Sequence, residues 1–140
     1  MTTKELSQIY FLKREIEANK KRLEYLQETA RAPSTTKLFL GSSGAQYGFD
    51  NRVERIVTEI ADLQKVIEER QIQCIREQTR LEKWINAIPD SLTRQIFAYR
   101  FMDCMGWAQT ALRVGGGNTY DSVRQIAYRY LKKDKNKKEG

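Results

Sequence analysis

Seam positions fall at Ile9, Leu12, Ile16, Asn19, Leu23, Leu26 and Ala30, in alternating steps of three and four. That spacing keeps one side of an α-helix facing a partner helix. Asn19 is the polar exception, of the kind that sets register at some loss of stability. The repeat resumes at Val53, Ile56, Ile60, Leu63, Ile67, Arg70, Cys74, Glu77, Leu81, Trp84 and Ile88. A chain patterned in this way is all-α in its first 88 residues.

Between the repeats lies "PSTTKLFLGSSGAQYGF", residues 33–49, whose Ser, Thr and Gly content predicts a loop. Two heptad helices joined by one loop form a long antiparallel, coiled-coil-like hairpin over residues 1–88. At about 1.5 Å per residue the helices are about 42 and about 58 Å long. Pairing residue 31 with 50 places residue 4 near 77. The second helix then overshoots the first, and Leu81, Trp84, Ile85 and Ile88 need cover. A domain interface with the C-terminal region, or an oligomer interface with a second chain, would supply it.

Pro89 marks a boundary, and Asp90 is placed to cap the following helix. Leu92, Ile96, Phe97, Tyr99 and Phe101 are its apolar residues. Asp103–Gly106 is a break. "WAQTALRV" is a short helix with Trp107, Ala108, Ala111, Leu112 and Val114 expected inside. "TYDSVRQIAYRYLKK" is the last helix, with Val123, Ile126, Ala127, Tyr130 and Leu131 inward. Residues 132–140 hold five lysines and no apolar residue, and are expected to be a disordered basic tail.

The run "VGGGNTYDS" separates the last two helices. A phosphate loop needs a Lys and a hydroxyl after its last glycine, and a dinucleotide loop needs a preceding strand. Neither is present. Glycine also ends helices by adopting left-handed dihedrals. Asn118 or Thr119 would then cap the next helix, with Asp121 in its first turn. Three glycines in series suit two short helices that cross steeply with close backbone approach, a small helix-turn-helix domain over residues 89–131.

The chain of 140 residues carries 25 Lys+Arg against 18 Asp+Glu, a net charge of +7. Residues 1–88 carry +2 of this and residues 89–140 the remaining +5. Histidine is absent, and the two cysteines, Cys74 and Cys104, have no metal-ligand spacing. These features argue against an enzyme and predict neither metal nor cofactor. No apolar run approaches the roughly 18 residues of a membrane span. The setting expected is the cytoplasm of a bacterial host cell, with no membrane partner.

"IPDSLTRQIFAYRFMDCMGWAQTALRVGGGNTYDSVRQIAYRYLKK" resembles region 4 of sigma-70-type factors. It resembles more closely the related domain of the RinA/ArpU-type late transcription regulators of Firmicutes phages. The resemblance rests on the Pro-Asp step, on "RFMDCMG", on Trp107 opening a helix, on Ala111 at the crossing and on "VRQI" at 123–126. The turn is longer than the compact one of that family. The preceding charged hairpin also resembles the N-terminal half of those phage proteins.

The resemblance implies sequence-specific binding of double-stranded DNA by a transcription regulator of phage or prophage origin, with RNA polymerase as a second candidate partner and a homodimer as the expected form. Base reading would fall to Asn118, Thr119, Tyr120, Arg124 and Gln125, since residues near a recognition helix's N-terminus reach the major groove. Arg113, Arg129, Lys132 and Lys133 would hold phosphates. Two alternatives stay open: a small terminase subunit that binds phage DNA for packaging, and a protein-binding inhibitor of a host factor.

Overall fold

The computed structural model describes residues 1–31 and 45–139, with the backbone alone over 45–50. Every regular element among the described residues is helical. In chain order they are α1 (Thr3–Leu6), α2 (Gln8–Arg31), α3 (Ala45–Asn86), α4 (Ser91–Phe97), a π-helical turn (Ala98–Met102), α5 (Trp107–Val114) and α6 (Tyr120–Glu139).

The chain divides into two compact units, Met1–Lys13 with Gln73–Gly140, and Arg14–Ile72. The division falls inside α2 and α3 rather than at Pro89. In the second unit, Ile16 and Ile67 are buried, and Arg70 Nε lies 3.1 Å from Glu15 Oε1. In the first unit, Arg80 Nη2 lies 2.5 Å from Glu5 Oε1. Each pair joins α3 about one helical turn later than the expected match of residue 4 with 77. That match had assumed that both helices end at one level on a loop reaching residue 49. Instead α3 begins at Ala45, because a helix anchored downstream adds one hydrogen bond for each further residue it fixes. Residues 33–44 of the expected loop, including "KLFL", lie outside the described residues.

The first unit holds the larger core. Leu6, Ile9, Leu81, Ile85, Ile88, Ile96, Phe97 and Val123 are all buried in it. The part of α3 predicted to overshoot therefore finds its cover within one chain. Trp84 stands edge-on to Phe97 and to Tyr130, with ring centroids 5.0 and 5.7 Å away. Phe97 stacks on Phe101 at 5.6 Å, and Phe101 meets Trp107 at 6.0 Å. Edge-on and offset rings add to the area they bury. This row of rings ties α3, α4, the π turn, α5 and α6 into one body.

Local chemistry sets the joints. Asp90 caps α4, as expected: its Oδ2 accepts from Thr93 N at 3.0 Å and from Thr93 Oγ1 at 2.6 Å. Those two bonds hold its carboxyl below the usual range, the hydroxyl's first. Arg94 donates to the carbonyls of Ile88 and Pro89 at 2.6 and 3.0 Å. The guanidinium thus satisfies two carbonyls of the link between α3 and α4. The π turn is a widening that the sequence did not announce, with Asp103 N donating to Ala98 O at 3.0 Å. Cys104 follows it at φ 58°, left-handed although it has a side chain.

Candidate nucleic-acid interface

α5 buries Trp107, Thr110 and Ala111, a spacing of three and four that defines its inner face. Leu112 was expected inside and is 83% exposed, while Thr110 is fully buried. Ala108 is exposed as well. The apolar residues gave the wrong phase because Thr110 hides its polarity. Its Oγ1 donates to Gly106 O at 2.9 Å, so the hydroxyl is satisfied and the methyl packs.

The glycines end α5. Gly115, Gly116 and Gly117 have φ of 65°, 65° and 74°. A Cβ built on Gly115 or Gly117 would meet nothing within 4 Å, and one on Gly116 would be 3.6 Å from Asn118 Nδ2. The expected close backbone approach is therefore absent from this turn. Dihedral angles, not space, call for glycine here. Gly115 also has ψ −151°, a combination open essentially to glycine alone.

Asn118 and Thr119 close the turn. Asn118 Nδ2 donates to Gly115 O at 2.8 Å, and Ser122 Oγ donates to Asn118 Oδ1 at 3.4 Å. Thr119 Oγ1 accepts from Ser122 N at 3.2 Å while Thr119 N donates to Ser122 Oγ at 2.8 Å. Both candidate base readers thus take part in building the turn, while the Thr119 hydroxyl proton and the second Asn118 N–H have no bond within it. Sequence reasoning missed Ser122, whose position three residues after Thr119 makes the reciprocal cap.

α6 then runs with two distinct sides. Val123, Ala127 and Leu131 are buried against the first unit's core. Tyr120, Arg124, Gln125, Arg129, Lys132 and Lys133 are all exposed, as is Arg113 at the end of α5. The Arg124 guanidinium lies 5.4 Å from the centroid of the Tyr128 ring, and Tyr128 in turn lies 6.0 Å from Trp107. Tyr128 therefore links the outer face to the aromatic row and supports Arg124 from below.

The expected disordered tail is instead the last part of α6, which continues to Glu139. Asp134 lies 3.3 Å from the Met1 amino group and 3.9 Å from Lys138. Lys137 and Lys138 sit in the last turn, where the helix dipole favours cations. The lysines are good helix formers, so a docked helix carries them onward. Burial, with a smaller effect from Asp134, pushes the Tyr130 hydroxyl up.

Among the described residues, no cluster of three Cys, Asp or Glu is placed to hold a metal ion. Burial is the main cause raising the Cys104 thiol, the opposite of an activated nucleophile. No described helix is long and apolar enough to cross a membrane. No family model, curated protein or solved structure matches the chain.

Proposed function

We propose that this protein is a sequence-specific DNA-binding transcription regulator of phage or prophage origin, similar to sigma-70 region 4. In this reading α2 and α3 form an antiparallel hairpin, and α5, the glycine turn and α6 form a helix-turn-helix. The observation that carries the reading is the two-sided α6. Its apolar stripe is docked in the core, while Arg124, Gln125, Arg129, Lys132 and Lys133 are exposed around the rest of the helix and Tyr120 is exposed at its first turn.

An α-helix fits the major groove, and its N-terminal residues reach base edges. Arg124 suits guanine and Gln125 suits adenine. Tyr120, 49% exposed, stands at the entering end. Asn118 and Thr119 hold that end in place and stand beside Tyr120 as base readers, through the Thr119 hydroxyl proton and the second Asn118 N–H. Arg113, Arg129, Lys132 and Lys133 hold phosphates, and the helical extension offers Lys135 and Lys138 for the same work. The chain acts without catalysis or cofactor in the bacterial cytoplasm. Two copies on two half-sites would strengthen a singly weak contact, and RNA polymerase is the second partner of this reading.

The test is binding of labelled duplexes, selected from a random pool, at two salt concentrations. Enrichment of one sequence, with affinity falling steeply as salt rises, supports the proposal. No duplex binding at low salt defeats it. Solution mass separates a dimer from a ring of many copies, and a ring would move the reading to a small terminase subunit.

A further inference from the structure

A groove of about 470 Å³ opens beside the first turns of α2, lined by Leu6, Tyr10, Phe11, Arg100, Phe101 and Cys104 among others. Its size is that of clefts that accept a small apolar body. Phe11 stands at this groove 61% exposed, edge-on to the half-exposed Tyr10 with centroids 5.3 Å apart.

Arg100 supplies the charge. Its Nη1 donates to Met105 O at 2.7 Å, and its guanidinium lies 4.7 Å from the Trp107 ring centroid. Its Nε is buried and has no hydrogen-bond partner among the described residues. No carboxylate among those residues pairs with it. That Nε is sealed from the groove, so a ligand would meet the rest of the guanidinium, which lines it, and a carboxylate is the acceptor a guanidinium fits best.

We propose that this groove docks a segment of a partner protein that presents a carboxylate beside an aromatic or large aliphatic side chain. Charge complementarity with Arg100 selects the carboxylate. The exposed rings of Phe11 and Tyr10 select the apolar neighbour. The site is separate from the free face of α6 and does not depend on the DNA-binding reading.

The probes are a capped Gly-Phe-Asp-Gly peptide and its Asn counterpart, titrated into the full chain and followed by amide resonances. The Asp peptide is expected to shift Phe11, Cys104 and Gly106 and to bind at least about fivefold more tightly than the Asn peptide. Phe11→Ser, at an exposed position that folding tolerates, is expected to weaken both peptides. Arg100→Gln is expected to erase the preference for Asp. Equal binding of the two peptides, or no shift at these residues, overturns the proposal. So does displacement of the Asp peptide by inorganic phosphate or a short duplex, which would make the groove an anion site for nucleic acid. Tighter binding of free N-acetylphenylalanine than of the peptide would make the ligand a small acid and also overturn it.

Discussion

Thr119 and Ser122 cap each other at the start of α6, each side-chain oxygen accepting the other residue's backbone N–H, at 3.2 and 2.8 Å. Two donors that the helix leaves free are thereby satisfied. Thr119→Ala is expected to lower stability by about 1 kcal/mol, measured by urea unfolding. If Thr119 also reads a base, the preferred DNA sequence changes with it. Affinity that falls without any change in preference would leave Thr119 as a positioning residue only.

Gly115 sits at φ 65° and ψ −151° with open space where a Cβ would go. Asn often replaces glycine in left-handed turns, but those turns have ψ near +45°. Gly115→Asn and Gly115→Ala are therefore expected to destabilise to a similar degree, by about 1–3 kcal/mol. Thermal unfolding decides this. A clear advantage of Asn over Ala would mean that the turn relaxes to the ordinary left-handed conformation.

Periodicity made the long helices legible, because Ile9, Leu12, Ile16 and Ile67 repeat at the spacing that burial requires. Asp90 was legible as a cap for the same local reason. What escaped was whatever depends on satisfaction rather than hydrophobicity. Thr110 reads as polar and is buried because Gly106 O receives its hydroxyl proton. Ser122 reads as neutral and completes a cap. The π turn and the left-handed Cys104 leave no composition signal, since the bonds that close this stretch run from Asp103 N and Met105 N back to Ala98 O and Tyr99 O. Residues 132–139 were misread because composition alone does not register that a docked helix can carry a polar end. Of the candidate interface, its outer face was legible from phase. The engagement of Asn118 with Gly115 O was not.

Leu112 separates the two readings of α5 directly. A buried leucine truncated to alanine loses about 2–5 kcal/mol, whereas a surface change stays within about 0.5 kcal/mol. At 83% exposure, Leu112→Ala is expected to leave the unfolding midpoint nearly unchanged. A loss of core size would restore the inward phase.

Glu5 ties acid stability to one corner of the first unit. Its carboxyl is held down to about 2, first by the Thr2 backbone N–H at 2.7 Å and then by Arg80. The folded value lies below the unfolded one, near 4.5. Its contribution is therefore fully present above about pH 4.5 and is lost as the pH falls towards 2. Glu5→Gln is expected to flatten this part of the stability profile. Because the capping bond outranks the ion pair, 1 M salt should leave most of the slope in place, and Arg80→Met should remove only part of it. A slope abolished by salt would assign the effect to Arg80 instead.

Arg124 and Lys133 should fail differently if α6 lies in the major groove. Arg124 is supported by Tyr128 and faces out near the entering end. Arg124→Ala is expected to cost about 1–3 kcal/mol at the preferred duplex and to relax preference at one base position. Tyr128→Leu should weaken the same preference more mildly, by loosening the guanidinium. Lys133→Ala should weaken all duplexes alike and reduce the salt slope by about one. The measurement is affinity for the preferred duplex and its single-base variants at two salt concentrations. If Arg124→Ala merely mimics Lys133→Ala, α6 holds the backbone of DNA without reading it. The sequence preference would then have to come from elsewhere in the chain or from the shape of the duplex.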